Sequence, residues 1–210
     1  MLLDLQSINE QYNMDVRGVI HIGAHWGQEV ESYKSYGWDN ILLFEPQPSC
    51  YSILEGKFGD DDNVVLVNKA LGPKPCNMKM YVERANSGMS SSLLKPCMHL
   101  DQYPGILFNE EIEVGVVTLD GYLEESGLDQ SNYNMINIDV QGFELEVFKG
   151  AESTLKNVDY IITEINRAEV YEGCAKHDEL DKHLGSYGFK RVETNWAGWT
   201  WGDAFYIKDV

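Results

Sequence analysis

The residues best able to do chemistry in this 210-residue chain are a glycine-bounded turn and a few acids that follow apolar runs. Gly23-Ala24-His25-Trp26-Gly27 comes directly after the β-branched run Val19, Ile20 and Ile22, a strand-then-turn pattern. Glycine at both ends of the pentapeptide lets the backbone turn sharply and come close to a ligand. Glu45 closes a second apolar run, Ile41 to Phe44, with Pro46 just beyond it. In an open α/β sheet ligands bind at the carboxyl ends of strands, where a carboxylate one strand over can take both ribose hydroxyls. The spacing points to a nucleoside-containing cofactor. It is not the dinucleotide fingerprint, because Ala24 and His25 follow Gly23 where G-x-G-x-x-G needs a second glycine. The bland alternative is a βαβ unit whose glycines serve only the turn.

Asp139 and Glu164 also follow apolar runs, Met135 to Ile138 and Tyr160 to Ile162, and Asn166 lies two residues further. Their oxygens are hard ligands that suit Mg²⁺ or another divalent cation. Without an ion, Asp139 would orient a cofactor and Glu164 would cap a turn. An imidazole titrates near neutrality, so His25 could act as a base, or could contact only cofactor and backbone.

These positions need elements to carry them. A helix is expected from about Gln28, ended by Gly37, and another from Pro46 to Phe58 with Pro48 in its first turn. Val64 to Val67 reads as a third strand, followed by Asn68-Lys69-Ala70-Leu71-Gly72. Met78, Met80 and Val82 alternate with polar residues and predict a strand pairing antiparallel with Ile112, Val114 and Val116. The long stretch 84–110, rich in Ser, Gly, Met and Pro, reads as a lid over the ligand or a flexible loop. Thr118 to Ser126 predicts a helix ended by Gly127, and His177 to Tyr187 the last helix. Phe189 to Val192 and Ala204 to Ile207 form a terminal strand pair, joined by a loop, Asn195 to Asp203, that carries Trp196, Trp199 and Trp201. Those rings could stack on a sugar, or serve a core or an oligomer interface. Residues 1–15 read as a short helix over one edge of the sheet.

Length suits a single domain over 1–210 with a sizeable core. A net charge of −18 argues against a nucleic-acid partner, which needs a basic face. Cys50, Cys76, Cys97 and Cys174 lie far apart, without zinc or disulfide spacing. No leader and no apolar run of transmembrane length is visible, so the expected setting is cytoplasmic, with no membrane partner. Oligomeric state is not legible.

Taken together, Val19-Ile20-His21-Ile22-Gly23-Ala24-His25-Trp26-Gly27-Gln28-Glu29, Phe44-Glu45-Pro46, Asn68-Lys69-Ala70-Leu71-Gly72, Thr118-Leu119-Asp120, Ile138-Asp139-Val140-Gln141-Gly142-Phe143-Glu144 and Thr163-Glu164-Ile165 resemble the FkbM-type S-adenosylmethionine-dependent methyltransferases. Gly202-Asp203-Ala204-Phe205-Tyr206 also resembles the end of such domains. The resemblance implies a Rossmann-like class I methyltransferase fold: α/β, a seven-stranded, mostly parallel sheet with its last strand antiparallel and helices on both faces. It implies S-adenosylmethionine as cofactor, bound by Gly23, Ala24, His25, Gly27, Glu45, Pro46, Asn68, Ala70 and Asp139, with Asp139, Glu164 and His25 as catalytic candidates. Metal-dependent sugar O-methyltransferases hold their ion with acids at these strand ends, which makes Asp139, Glu164 and Asn166 the candidate metal set. The expected reaction is O-methylation of a hydroxyl on a sugar, glycan or glycosylated small molecule. The alternatives are N-methylation of a small amine and a non-catalytic nucleoside-binding or interaction module. Two departures stand out. His21 occupies a first-strand position where such enzymes commonly carry an acid, and Gln141 replaces the first Glu of D-V-E-G-x-E.

Overall fold

A computed structural model describes residues 1–209. A seven-stranded sheet forms its centre, in the order β3-β2-β1-β7-β8-β10-β9. The strands are β1 (Gly18–Ile22), β2 (Asn40–Phe44), β3 (Val64–Val67), β7 (Met135–Ile138), β8 (Tyr160–Asn166), β9 (Phe189–Ala197) and β10 (Trp201–Lys208). The first five pair in parallel, and β10 runs antiparallel to both β8 and β9. This is the Rossmann-like arrangement expected from the sequence.

Alternation along the strands sends side chains to two cores. On one face, Val19, Ile41, Leu43, Met135 and Phe205 pack against α1 (Leu5–Tyr12), α2 (Val30–Ser35) and α3 (Pro48–Phe58). On the other, Ile20, Ile22, Leu42, Phe44 and Ile136 meet α5 (Leu119–Ser126), α6 (Glu144–Lys149), α7 (Thr154–Asn157) and α8 (His177–Gly185). Local signals set the helix ends: the Thr118 hydroxyl accepts from the Gly121 amide at 3.0 Å, and Gly127 leaves α5 with φ of 70°.

Register does the positioning. Ile22 is level with Phe44 on one side and Ile138 on the other, and Ile138 is level with Thr163. The residues that come next, Glu45, Gly23, Asp139 and Glu164, therefore stand in a row along one edge of the sheet. Asp203 on β10 is level with Glu164 and extends the row.

Two features add to the sequence reading and a third differs from it. The alternating stretch pairs as expected, Met78 with Val114 and Met80 with Ile112, but it builds a separate sheet. That sheet has the order β4-β6-β5, from β4 (Ala70–Leu71), β5 (Cys76–Val82) and β6 (Glu110–Val117). The stretch 84–110 is partly ordered: Ser92 bridges to Tyr81, Pro96 bridges to Tyr171, and Met98–Gln102 forms the short α4. The tryptophan segment is mostly strand, because β9 and β10 pair out to Ala197 and Trp201 and leave only a tight turn at residues 198–200, where Gly198 has φ of 66°.

Phe148 on α6 is fully buried among both strand and helix residues of the larger core. Phe148→Ala should lower unfolding free energy by about 3–5 kcal/mol, the range for removing a buried phenyl ring. Urea denaturation followed by far-UV circular dichroism would measure it; a loss under 1 kcal/mol would contradict this packing.

Candidate active site

Apolar walls from Ile22, Phe44, Leu71 and Phe143 enclose a pocket over the carboxyl edge of β1 and β2. His25, Pro46 and Ala70 add to its lining, and Glu45, Lys69 and Asp139 are its charged residues. The Glu45 carboxylate accepts from the His25 and Gln47 backbone amides, each at 2.8 Å. It is nonetheless 3% exposed, and burial outweighs those two bonds, pushing its pKa up to about 7. In the same wall the Gln47 side-chain oxygen is buried with no partner among the described residues. A flat apolar slot with a buried carboxylate and an unsatisfied acceptor fits a nucleoside, whose hydroxyls are donors.

The glycine turn works differently from the sequence expectation. At Gly23, φ is +81° and a Cβ would stand 2.0 Å from the Asp139 carbonyl oxygen. At Gly27 a Cβ would meet Phe58 at 2.6 Å and Leu54 at 3.0 Å. The missing side chains thus admit neighbouring protein, and only Gly23 of the two lines the pocket. Ala24 is buried in the core, and Asn68 donates to the Glu45 and Pro46 carbonyl oxygens at 2.8 and 3.2 Å, bracing the turn after β2.

Beyond β1 the edge becomes a cluster of acids. Ligand oxygens of Asp139, Glu144 and Glu164 all lie within 4.8 Å of one another. Glu144 accepts from the Val140 and Gly142 amides, both at 3.1 Å, so it braces the turn after β7. The Gln141 side-chain amide donates to Asp139 at 2.6 Å and to Glu164 at 2.9 Å, linking the two acids. Burial first, then the charges of Asp139, Glu144 and Asp203, hold the Glu164 carboxyl well above its ordinary range. Asn166 does not join the group: it lies two residues along β8, fully buried, with neither amide atom partnered among the described residues.

Asp139 also faces two further cavities. One is lined by Glu164, Asp203, His99, Tyr103 and Trp201. The other contains His21, Gln28, Glu29 and Asn137. There the Tyr33 hydroxyl lies 3.1 Å from His21 Nδ1 and accepts from Asn137 at 2.6 Å, while burial lowers the His21 pKa and favours the neutral ring. His25 has both ring nitrogens engaged, one with the Ser87 carbonyl at 2.9 Å and the other with Gln28 at 2.8 Å. Of the three tryptophans, only Trp201 lines a cavity at this edge: Trp196 stacks beneath the Arg167 guanidinium, 3.6 Å from the ring centre, and Trp199 is 65% exposed. Asp203 had a faint sequence signal in Gly202-Asp203; His99 and Tyr103, inside the long stretch 84–110, had none.

A pocket that fits a nucleoside, beside an acidic edge on this strand order, suits a methyltransferase domain of the Rossmann-like class. The chain belongs to the FkbM methyltransferase family, whose domain (Methyltransferase FkbM domain) matches residues 21–191. The 2-O-methyltransferase NoeI of Sinorhizobium fredii is 28% identical over 138 residues, 63% of this chain, and the match spans 56% of that relative's length. Among solved structures, a SAM-dependent methyltransferase from Aquifex aeolicus superposes with a TM-score of 0.52 at 11% identity, covering 99% of this chain and 91% of that one. Magnesium protoporphyrin IX methyltransferase from Synechocystis, solved with bound SAM, gives 0.50 at 9% identity, covering 97% and 75%. At such identities the likeness is one of fold. No helix among the described residues is long and apolar enough to cross a membrane.

The raised pKa of Glu45 has a measurable consequence. Two hydroxyls donating to the carboxylate favour its ionised form, so cofactor affinity should increase as pH rises through about 7 and level off above it. Titration calorimetry with S-adenosylhomocysteine between pH 5.5 and 8.5 should show this rise, and Glu45→Gln should flatten it. Affinity independent of pH in the unaltered protein would remove Glu45 from the hydroxyl contacts.

Proposed function

We propose that this domain transfers the methyl group of S-adenosylmethionine to a hydroxyl of a sugar, glycan or glycosylated small molecule, with Asp139 as the proton acceptor. The observation that carries this reading is that Asp139 borders the nucleoside pocket, the His21 recess and the cavity walled by Trp201 and Tyr103. Glu45, Gln47 and the apolar slot hold the nucleoside, and the recess at His21 receives the amino-acid end. The sulfonium supplies an electrophilic methyl group when the cofactor is bound. Trp201 and Tyr103 offer ring faces to a sugar, as aromatic side chains do where area is needed at low entropic cost. Gln141 holds one Asp139 oxygen, and the other has no partner among the described residues, so it is free to take the hydroxyl proton as the new bond forms. His25 is better suited to holding the turn, since its two nitrogens are occupied. The 2-O-methyltransferase relative supports oxygen as the acceptor atom.

A second reading has its own support in the convergence of Asp139, Glu144 and Glu164. A divalent ion there would lower the pKa of an acceptor hydroxyl. Against it, the Gln141 amide already bridges Asp139 and Glu164, supplying the positive dipole that an ion would otherwise bring.

The test is methyl transfer from labelled cofactor to a panel of sugars and amines, with the methylated atom located by NMR. Asp139→Asn should lower kcat by about 10²–10⁴-fold, the usual contribution of a positioned base. S-adenosylhomocysteine binding should persist in that variant. Turnover should continue in EDTA; loss in EDTA with recovery on adding Mg²⁺ or Mn²⁺ would replace the base by the metal. Transfer only to nitrogen would overturn the hydroxyl assignment.

A further inference from the structure

Glu164 and Asp203 face one another across the antiparallel pair β8 and β10. They are 5% and 4% exposed, and both line the cavity beyond Asp139. Like charges directly opposite on neighbouring strands repel, and burial strengthens that repulsion by removing the screening solvent. A protein normally answers such a pair with a lysine or arginine. Among the described residues no lysine or arginine side chain lines this cavity; the cation near it is the Met1 α-amino group, which acts on Asp203, while the charges acting on Glu164 are all acidic. Asp203 receives only the Leu2 and Leu3 backbone amides, and Glu164 only the Gln141 amide.

His99 makes an independent observation on the same cavity. It lines the cavity at 4% exposure, and its Nδ1 is buried with no hydrogen-bond partner. Its packing against Tyr103, Phe108 and Tyr171 desolvates the ring and lowers its pKa, so it stands neutral with one nitrogen able to accept. On the remaining side Trp201 donates to the Tyr103 hydroxyl at 3.2 Å, which joins the two aromatic rings into one wall. Opposed acids, a neutral acceptor and an aromatic wall match the donors and the charge of an ammonium carried on a ring.

We propose that the acceptor is an amino sugar, its protonated amine seated between Glu164 and Asp203 and its ring lying against Trp201 and Tyr103. This rests on the O-methyltransferase reading above and names the class of sugar it acts on. The acceptor hydroxyl oxygen attacks the methyl carbon, the carbon–sulfur bond breaks with its electron pair passing to sulfur, and the hydroxyl proton goes to Asp139. The ammonium takes no part in bond making. It fixes which hydroxyl faces the methyl group, and its charge draws Glu164 and Asp203 into their ionised forms.

The experiment is titration calorimetry on the protein saturated with S-adenosylhomocysteine. The probes are methyl glycosides of 2-, 3- and 4-amino sugars, each compared with its N-acetylated form and with the corresponding neutral sugar. At least one free amine should bind ten-fold or more tightly than both of its neutral partners. Asp203→Asn should erase most of that preference while binding S-adenosylhomocysteine as before; Glu164→Gln serves as a second variant should the first fail to fold. Equal affinity for amine and neutral sugars would overturn the amino-sugar assignment and leave sugar O-methylation standing. Binding of no sugar by a protein that binds the cofactor would overturn both. Micromolar binding of Mn²⁺ to the sugar-free protein, lost in Asp203→Asn, would also overturn the assignment by giving the acid pair a metal instead.

Discussion

Parallel register is the constraint on which the rest of this structure depends. With Phe44, Ile22, Ile138 and Thr163 level across four strands, the chain has no choice but to present Glu45, Gly23, Asp139 and Glu164 side by side. A shift of one residue on any strand would exchange its core and opposite faces, and the apolar residues of both cores forbid it. The acids are therefore gathered at one edge because strand packing leaves them there. Grouped carboxylates are unfavourable, most of all the buried Glu45, Glu144 and Glu164, and local donors hold them: backbone amides at Glu45 and Glu144, and a side-chain amide shared by Glu164 and the exposed Asp139.

The same constraint explains the glycine turn. Gly23 lies beside Asp139 at the strand ends, so a Cβ there would strike the Asp139 carbonyl oxygen before it reached any ligand. The turn must fit against the neighbouring strand first, and the ligand pocket is what remains in front of it. Sequence reasoning finds the glycine readily but cannot assign its clearance to ligand or protein, because that depends on which strand lies alongside. Here β7 lies alongside, and it is over a hundred residues away in the chain.

What was legible in the sequence followed from periodicity and local ends. Strand β1, the α2 helix closed at Gly37, Pro48 at the start of α3, and α5 between Thr118 and Gly127 all carry their signals within a few residues. The strand ends that deliver Glu45, Asp139 and Glu164 were legible for the same reason. The second cavity was not. His99 and Tyr103 sit in a stretch without periodicity, and they reach the acidic edge only because Pro96 bridges to Tyr171 and Cys97 donates to the Val170 carbonyl. Asp120 shows the opposite case: a residue whose motif was noticed, but whose work, capping the start of α7 through the Ser153 and Thr154 amides at 2.7 and 2.9 Å, depends on tertiary contact.

Gln141 brings these threads together. It holds φ of 55°, uncommon for a residue with a side chain, and the Glu144 carboxylate grips the amides on either side of it. Held there, its nitrogen reaches Asp139 and Glu164 while its oxygen accepts from the Tyr171 hydroxyl at 2.8 Å. That hydroxyl also lies 2.8 Å from the Ser90 carbonyl, and Ser92 donates to the Gln141 backbone oxygen at 2.7 Å. One amide thus ties the acids at the sheet edge to the segment that walls the pocket. A glutamate of the same size would offer an acceptor to Tyr171 but no donor to either acid, adding a charge where three already meet. The amide at position 141 offsets part of the repulsion between Asp139 and Glu164 and occupies one oxygen of each.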